Sequence, residues 1–185
     1  MTEDKTRKLR AHPSRETDDA YRAGVDTISF AVRNSLAAAN RGGSSAVGGV
    51  TFVALGAIRG ALEIGSDLTQ AGKGIIEGVL HGSGVRGEAA LETISQAART
   101  VLHHTATTGS DVTSVTAGLV KGAIQSALDF GVDVTRAASA AAQGAVEGAE
   151  DVSFAAAEQV RAALTGQFDG VRILLLPPYQ QQERQ

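Results

Sequence analysis

The sequence contains no cysteine and little aromatic material, with five phenylalanines, two tyrosines, no tryptophan and one methionine in 185 residues. Without cysteine, a disulfide framework, thiol catalysis and thiolate metal sites are excluded, and a reducing compartment is expected. The shortage of bulky side chains makes a large interdigitated core hard to build. An ordinary compact enzyme domain is therefore not expected.

An excess of charge of one sign is also lacking. The chain carries 17 basic and 20 acidic residues, a net charge of −3, which supplies no long-range field to hold a nucleic-acid backbone. With 43% hydrophobic residues, the chain is too apolar for a solvated disordered protein. The segment from Met1 to Lys8 has no apolar run typical of a secretory signal. We therefore expect a cytoplasmic protein without a nucleic-acid partner.

Small residues are abundant, because 54 positions are alanine or glycine. Their distribution, together with the charge pattern, divides the chain into segments. We predict a flexible polar tail at 1–22, a short helix at 23–41, a linker at 42–45, a Gly/Ala-rich amphipathic helical region at 46–165, and a C-terminal docking peptide with a polar tail at 166–185.

The N-terminal half contains one helix and one uncharged stretch. The helix is predicted to run from Asp26 to about Ala39. Its apolar positions include Ile28, Phe30, Val32 and Leu36. From Ala46 to Ile58 thirteen residues carry no charge, which is shorter than the ~20 apolar residues that span a bilayer. Continuation to Ile64 makes the length marginal, so insertion of this stretch into a bilayer stays open.

The Gly/Ala-rich region contains an internal repeat. Three segments share the pattern Gly-x-Asp-x-Thr and begin at Gly65, Gly109 and Gly131, which are 44 and 22 residues apart. A longer match between the segments that start at Gly56 and Gly122 has an offset of 66 residues. These offsets are multiples of eleven, and eleven residues make three helical turns at ~3.67 residues per turn. The repeat therefore keeps one helix face in register.

The polarity of the residues at every eleventh position shows whether one helix face keeps the same character along the chain. One column is polar at nine successive positions, which are Arg59, Gln70, His81, Glu92, His103, Ser114, Gln125, Arg136 and Glu147. Another column is apolar at ten positions, which are Ala57, Leu68, Val79, Ala90, Val101, Val112, Ala123, Val134, Ala145 and Ala156. The two columns lie ~160° apart on a helical wheel, and a strand period of two does not produce this pattern.

The shared register predicts an all-α fold of long amphipathic helices with a right-handed eleven-residue repeat. One unbroken helix over a hundred residues would extend ~150 Å. The chain is expected instead to form helical hairpins, with weak points at Gly82–Gly84 and Thr105–Gly109, or an oligomeric bundle or tube. Since each interior glycine costs ~1 kcal/mol relative to alanine, an external surface must stabilise these helices.

A lipid surface or a set of sister helices could stabilise these helices. A lipid surface would bind the apolar stripe, whose predicted lipid-facing residues are Ile64, Leu68, Ile75, Val79, Val101, Val112, Leu119, Phe130 and Val134. Sister helices would pack on small residues spaced by four, which let two backbones approach closely. These predicted helix-packing residues are Gly56, Gly60, Gly74, Gly78, Gly82, Gly118, Gly122, Gly144 and Gly148. An open alternative is that the glycines reflect drift in a weakly constrained repeat.

The C-terminal region begins where Gly166 to Gly170 closes the helical pattern. An apolar peptide from Val171 to Tyr179 follows, and a proline pair stops it. We predict a partner-docking role for Ile173, Leu174, Leu175, Leu176 and Tyr179. The alternative is that the peptide folds back on the protein's own helices as a strand or cap.

The stretch Lys121–Asp129, with Gly131–Arg136 after it, resembles the eleven-residue repeats of the perilipins and, more loosely, those of α-synuclein. The resemblance covers the chain from about Leu55 to Gly148. It implies an amphipathic helix that lies on lipid droplets or membranes. The sequence departs from that pattern in its larger content of Ile, Leu, Val and Phe and in its acidic balance, which favours stable self-association over a pure lipid coat.

No catalytic, cofactor-binding or metal-ligating residue is predicted. The histidines are His12, His81, His103 and His104. They form no His-Glu-x-x-His pattern, so we expect solvated surface side chains. The sequence also has no Gly-x4-Gly-Lys-Ser/Thr phosphate loop. Asp67, Asp111 and Asp133 follow the repeat, and a structural role is expected for them.

These observations predict a non-catalytic helical scaffold. It would self-associate as a homo-oligomer through its Gly/Ala face, lie peripherally on a membrane or lipid surface, and recruit a partner protein through its C-terminal peptide. Assembled helices could enclose an apolar channel for a molecule such as a quinone, as in a membrane-anchoring structural subunit of a larger redox complex. The alternative is a monomeric amphipathic coat on lipid droplets or storage granules.

Overall fold

The computed structural model describes residues 15–41, 56, 67–165, 167–168 and 170–175. Within these residues the protein is all-α, as predicted. Six helices lie within the described ranges: α1 (Arg15–Arg41), α2 (Leu68–Ser83), α3 (Glu88–Thr107), α4 (Val112–Ser126), α5 (Val134–Glu150) and α6 (Phe154–Ala163). Two short antiparallel strands follow, β1 (Gln167–Phe168) and β2 (Val171–Arg172), joined through Gly170 at φ +80°.

The aspartate of each Gly-x-Asp-x-Thr segment caps the N-terminus of a helix. The Asp111 carboxylate accepts a hydrogen bond of 2.9 Å from the Thr113 N–H, and Asp67 accepts the same bond from Thr69. Asp133 accepts one from the Arg136 N–H at 3.0 Å. Such bonds satisfy amide groups that the first helical turn leaves without partners. The three aspartates therefore start α2, α4 and α5.

Left-handed glycines end the preceding helices. Gly109 and Gly131 each have φ +68°, a conformation that costs other residues about 1–2 kcal/mol. Gly84 has φ +67°, and its N–H binds the Leu80 carbonyl at the end of α2. The two predicted weak points are indeed helix ends, since α2 stops at Ser83 and α3 at Thr107. Two further breaks, at 127–133 and 151–153, were not predicted.

The first helix starts earlier than the sequence pattern indicated. Helix α1 begins at Arg15, inside the stretch predicted to be a flexible tail, and reaches Arg41. Residues 15–23 contain neither glycine nor proline, so nothing in their backbone preference stops a helix that packing further along the chain has stabilised. Residues 1–14, the linker at 42–45 and nearly all of Ala46–Ile64 lie outside the described residues.

The helices stack in parallel pairs. The Gly74 backbone of α2 lies against the Val25 carbonyl of α1, and the Gly122 backbone of α4 lies against the Lys73 carbonyl of α2. The Gly148 backbone of α5 lies in the same way against α3. Each contact joins residues 49 apart in the chain. From α2 onward, consecutive helices reverse direction at short turns, and the Gly87 N–H donates a hydrogen bond of 3.1 Å to the Phe130 carbonyl, which brings two of these turns to one end of the stack.

The interior between the helices is filled by side chains from one continuous cluster. Fully buried members include Ile75, Ile94, Leu102, Leu119 and Ala145. Alanine supplies many of the remaining contacts, so the core is thin and the helices are close together. No helix of the described residues combines the length and the apolar character needed to cross a bilayer.

Candidate functional site

The predicted helix-packing glycines on α2 lie where α1 crosses closest. A Cβ atom at Gly74 would lie 2.9 Å from the Ile28 Cβ, and one at Gly78 would lie 2.6 Å from the Val32 Cβ. A Cβ at Gly82 would meet Leu36 at 3.1 Å. Since carbon atoms pack best at ~3.5–4.0 Å, only glycine allows this approach at the first two positions.

The glycines on α4 and α5 make even closer backbone contacts. A Cβ at Gly118 would strike the Thr69 carbonyl of α2, and Cβ atoms at Gly144 and Gly148 would strike the Ser95 and Arg99 carbonyls of α3. The close contacts of the described glycines are therefore made within one chain. Gly56 is different, because it is exposed and a Cβ there would meet nothing within 4 Å. Gly60 lies outside the described residues.

The apolar stripe faces the interior of the stack. Its buried members are Ile75, Val79, Val101, Val112, Leu119 and Phe130. Leu68 and Val134 are half-buried, and Ile64 lies outside the described residues. In this folded state the stripe contacts the protein's own helices, so these residues would reach a lipid surface only after the helices separate.

The polar column is exposed at His81, Glu92, Gln125 and Arg136 and half-buried at Gln70, His103, Ser114 and Glu147. Two exposed ion pairs, one of which includes Arg136, link α3 to α5. Arg136 donates two hydrogen bonds to the Glu88 carboxylate, at 2.7 and 2.8 Å, and this bonding lowers the pKa of Glu88. At the other end of the same helix pair, Arg99 donates to Asp151 at 2.9 and 3.0 Å. These pairs are exposed and contribute little stability, but they fix the relative register of the two helices.

A shallow groove of about 360 Å³ runs between α1 and α2. Its lining residues are Asp26, Ser29, Phe30, Arg33, Glu77 and His81. Burial raises the pKa of Glu77; Lys73 opposes the shift and Asp26 reinforces it. Lys73 lies 3.8 Å from Glu77, and the His81 Nδ1 is bound to the Glu77 carbonyl at 2.7 Å. Lys73, Glu77 and His81 therefore interact with one another along α2.

Two of the three histidines that the structure describes are half-buried. His81 is exposed, but its ring packs edge-on against Phe130 with the centroids 5.0 Å apart. His103 and His104 are half-buried beside a second groove of about 250 Å³, and burial together with His103 lowers the pKa of His104. His12 lies outside the described residues. Among the residues that the structure does describe, no group of three histidines or acids could hold a metal ion.

The C-terminal peptide divides into a covered and an exposed part. Val171 and Ile173 are half-buried against the core, together with Phe168 of the preceding strand. The Leu174 N–H donates a hydrogen bond of 3.0 Å to the Ser139 Oγ on α5. Beyond this bond, the side chains of Leu174 and Leu175 are exposed. Leu176 and Tyr179 lie outside the described residues.

Several residues of these surfaces had no signal in the sequence. The Thr69, Ser95 and Arg99 carbonyls receive the glycines, but any residue type offers a carbonyl. Ser139 is an isolated serine in an alanine-rich helix, and its bond to Leu174 spans 35 residues. These partner carbonyls can be located in the sequence only when the offset of 49 residues between contacting helices is known. No protein-family model, curated protein or solved structure matches this chain.

Proposed function

We propose that this protein is a non-catalytic helical-repeat scaffold. It self-associates, contacts a membrane or lipid surface, and recruits a partner protein through its C-terminal peptide. The observation that supports the proposal best is the repeated glycine-to-carbonyl contact, which joins α1 to α2, α2 to α4 and α3 to α5 in one register. Repeat proteins of this kind build extended surfaces for other macromolecules rather than enclosed catalytic pockets.

Partner recruitment is supported by the position of the C-terminal peptide. Ile173 anchors the peptide to the core, while Leu174 and Leu175 present 59% and 38% of their surface to solvent. Deletion of residues 173–179 is expected to remove specific proteins that copurify with the chain, whereas deletion of the polar residues 180–185 should leave them bound. An identical set of copurifying proteins in both deletions would remove this part of the proposal.

Lipid contact in the folded state would use exposed apolar residues outside the stripe. Phe154 is 79% exposed at the start of α6, and Leu128 is 77% exposed in the turn before α5. Exchanging both for serine should weaken flotation of the protein with vesicles of mixed neutral and anionic lipid. The matched control carries Thr107→Ser and Gln159→Ala, at two other exposed positions. Equal flotation of the two variants would count against lipid contact by these residues.

The alternative function is a monomeric coat that is unfolded in water and helical on lipid. The Asp caps and left-handed glycines count against it, because they end helices at defined positions instead of favouring one continuous helix. Far-ultraviolet circular dichroism in lipid-free buffer separates the two functions. The scaffold predicts strong helicity that melts cooperatively, and the coat predicts a coil that becomes helical only with vesicles.

A further inference from the structure

Helix α1 has the fewest neighbours in the helix stack. Among the described elements its substantial contacts are all with α2, whereas each of the other helices packs on two or more. Residues 42–67, 26 in all, connect α1 to α2, while the later helices follow one another after three to seven residues. Elements with few packed neighbours open at lower free-energy cost than the core elements of a fold. Helix α1 is therefore the least costly helix to separate from the stack.

The contact between α1 and α2 sets apolar side chains against a glycine surface. The apolar side of α1 consists of residues three or four positions apart, which are Val25, Ile28, Val32 and Leu36. On α2 they meet Gly74, Gly78 and Gly82. In the adjoining groove, burial raises the pKa of Glu77, and the Asp26 carboxylate of α1 raises it further against the opposing effect of Lys73. Two like charges thus face each other across the helix pair.

The charges of the chain are divided unequally along the sequence. Residues 1–41 carry eight basic and six acidic side chains, whereas residues 42–185 carry nine basic and fourteen acidic ones. On α1, Arg15, Arg22 and Arg33 are seven and eleven residues apart, so they lie on one flank of the apolar side, with Asp26 beside them. Arginines on such a flank reach the headgroups of anionic lipids while the apolar side chains enter the interface.

We propose that α1 is the element of this protein that binds an anionic lipid surface. It separates from α2, lies in the plane of the interface, and places Val25, Ile28, Val32 and Leu36 at the acyl chains. The other helices remain stacked, so the scaffold is held on the lipid through one helix. This inference rests on the lipid contact in the proposed function and assigns that contact to α1.

A disulfide between α1 and α2 tests whether the two helices must separate. The natural chain has no cysteine. The Leu36 Cβ lies 3.1 Å from the position of a Cβ at Gly82, near the ~3.8 Å found in disulfides. The full chain with Leu36→Cys and Gly82→Cys is floated with vesicles that contain phosphatidylcholine and phosphatidylglycerol in equal amounts.

The oxidised form of this variant is expected to bind the vesicles at least ~10-fold more weakly than the same protein after reduction. Circular dichroism checks that both forms are helical. Reduction provides the matched control, because the two forms differ only in the disulfide. Equal binding of the oxidised and reduced forms would overturn the inference.

A single tryptophan shows which side of α1 enters the lipid, since the natural chain contains none. Ile28→Trp places the indole on the apolar side, and Phe30→Trp places it on the outer side, where Phe30 is 57% exposed. With vesicles whose acyl chains are brominated, we expect quenching of the Ile28→Trp fluorescence and none for Phe30→Trp. Quenching of Phe30→Trp alone would mean that α1 touches lipid while it stays on α2, and would overturn the separation.

Removal of one positive charge tests the class of headgroup. Arg22→Gln should weaken binding to the mixed vesicles by about fivefold. Arg172→Gln is the matched control, at an exposed position on β2, and should leave binding unchanged. The unaltered chain should bind vesicles of phosphatidylcholine alone at least ~10-fold more weakly than the mixed vesicles. Equal binding to both kinds of vesicle would overturn the preference for an anionic surface.

The outcomes separate this inference from the proposed function. Vesicle binding that survives the disulfide, but is lost when Leu128 and Phe154 are exchanged for serine, would overturn the role of α1 and retain lipid contact. No flotation of the unaltered chain with either kind of vesicle would overturn both.

Discussion

The substitution Gly144→Ala tests the contact between α3 and α5 directly. The new Cβ would strike the Ser95 carbonyl oxygen and lie 2.8 Å from its carbon, whereas such carbon atoms pack best at ~3.5–4.0 Å. The two helices must therefore separate locally by about 0.7–1.2 Å. Overpacking of this kind costs about 1–3 kcal/mol, and we expect the upper end because the obstructing atoms are backbone.

Alanine also gains about 1 kcal/mol over glycine in a helix, so Gly144→Ala should destabilise the chain by a net ~2 kcal/mol. In a chain of 185 residues, a loss of ~2 kcal/mol lowers the melting temperature by about 4–8 °C. The matched control is Gly56→Ala, because Gly56 is exposed and a Cβ there meets no atom. Urea denaturation followed by circular dichroism measures both. A Gly144→Ala protein as stable as the control would refute the close contact.

The remaining predictions concern helix ends. Asp111→Ala should cost about 1 kcal/mol in urea melts, because a cap of α4 is lost, while Asp111→Asn should retain most of it. Hydrogen bonds from Ser114, then from Thr113, lower the pKa of Asp111, so its charge stabilises the fold above the unfolded pKa of ~3.9. The contribution of this charge is lost as the pH falls through the pKa that Asp111 has in the folded protein. The wild type should therefore lose stability relative to Asp111→Asn only below about pH 4. Gly131→Ala should cost about 1–2 kcal/mol since its φ is +68°; an unchanged urea midpoint would contradict this.

The sequence predicted the periodic features of the fold because they are local. Burial of Val79 and Val101, and exposure of Glu92 and Arg136, follow from a helical period that one chain segment contains by itself. The breaks at Gly84 and Gly109 also carry a local signal. The break at Gly131 does not follow from the eleven-residue register, because the Gly-x-Asp-x-Thr pattern fits both a continuous helical repeat and a turn with a helix cap.

The pairing of the helices could not be predicted in the same way. Gly118 and Gly144 indicate that some backbone comes close, but the partners at Thr69 and Ser95 are ordinary residues 49 positions away. A glycine pair serves contacts within a chain and between chains equally well. For the same physical reason, the apolar stripe that includes Leu119 was predicted to face lipid, whereas in the fold it is buried against neighbouring helices.

Parallel stacking of α3 on α5 is the central claim, and introduced cysteines test it most directly, since the natural chain has none. Cysteine pairs at Glu88 and Arg136, and at Arg99 and Asp151, replace the two ion pairs at either end of these helices. We predict that a short bifunctional maleimide joins each pair within one chain, and that the mismatched pair at Glu88 and Asp151 stays unlinked. Cross-linking of the mismatched pair, or linkage only between chains, would contradict the account.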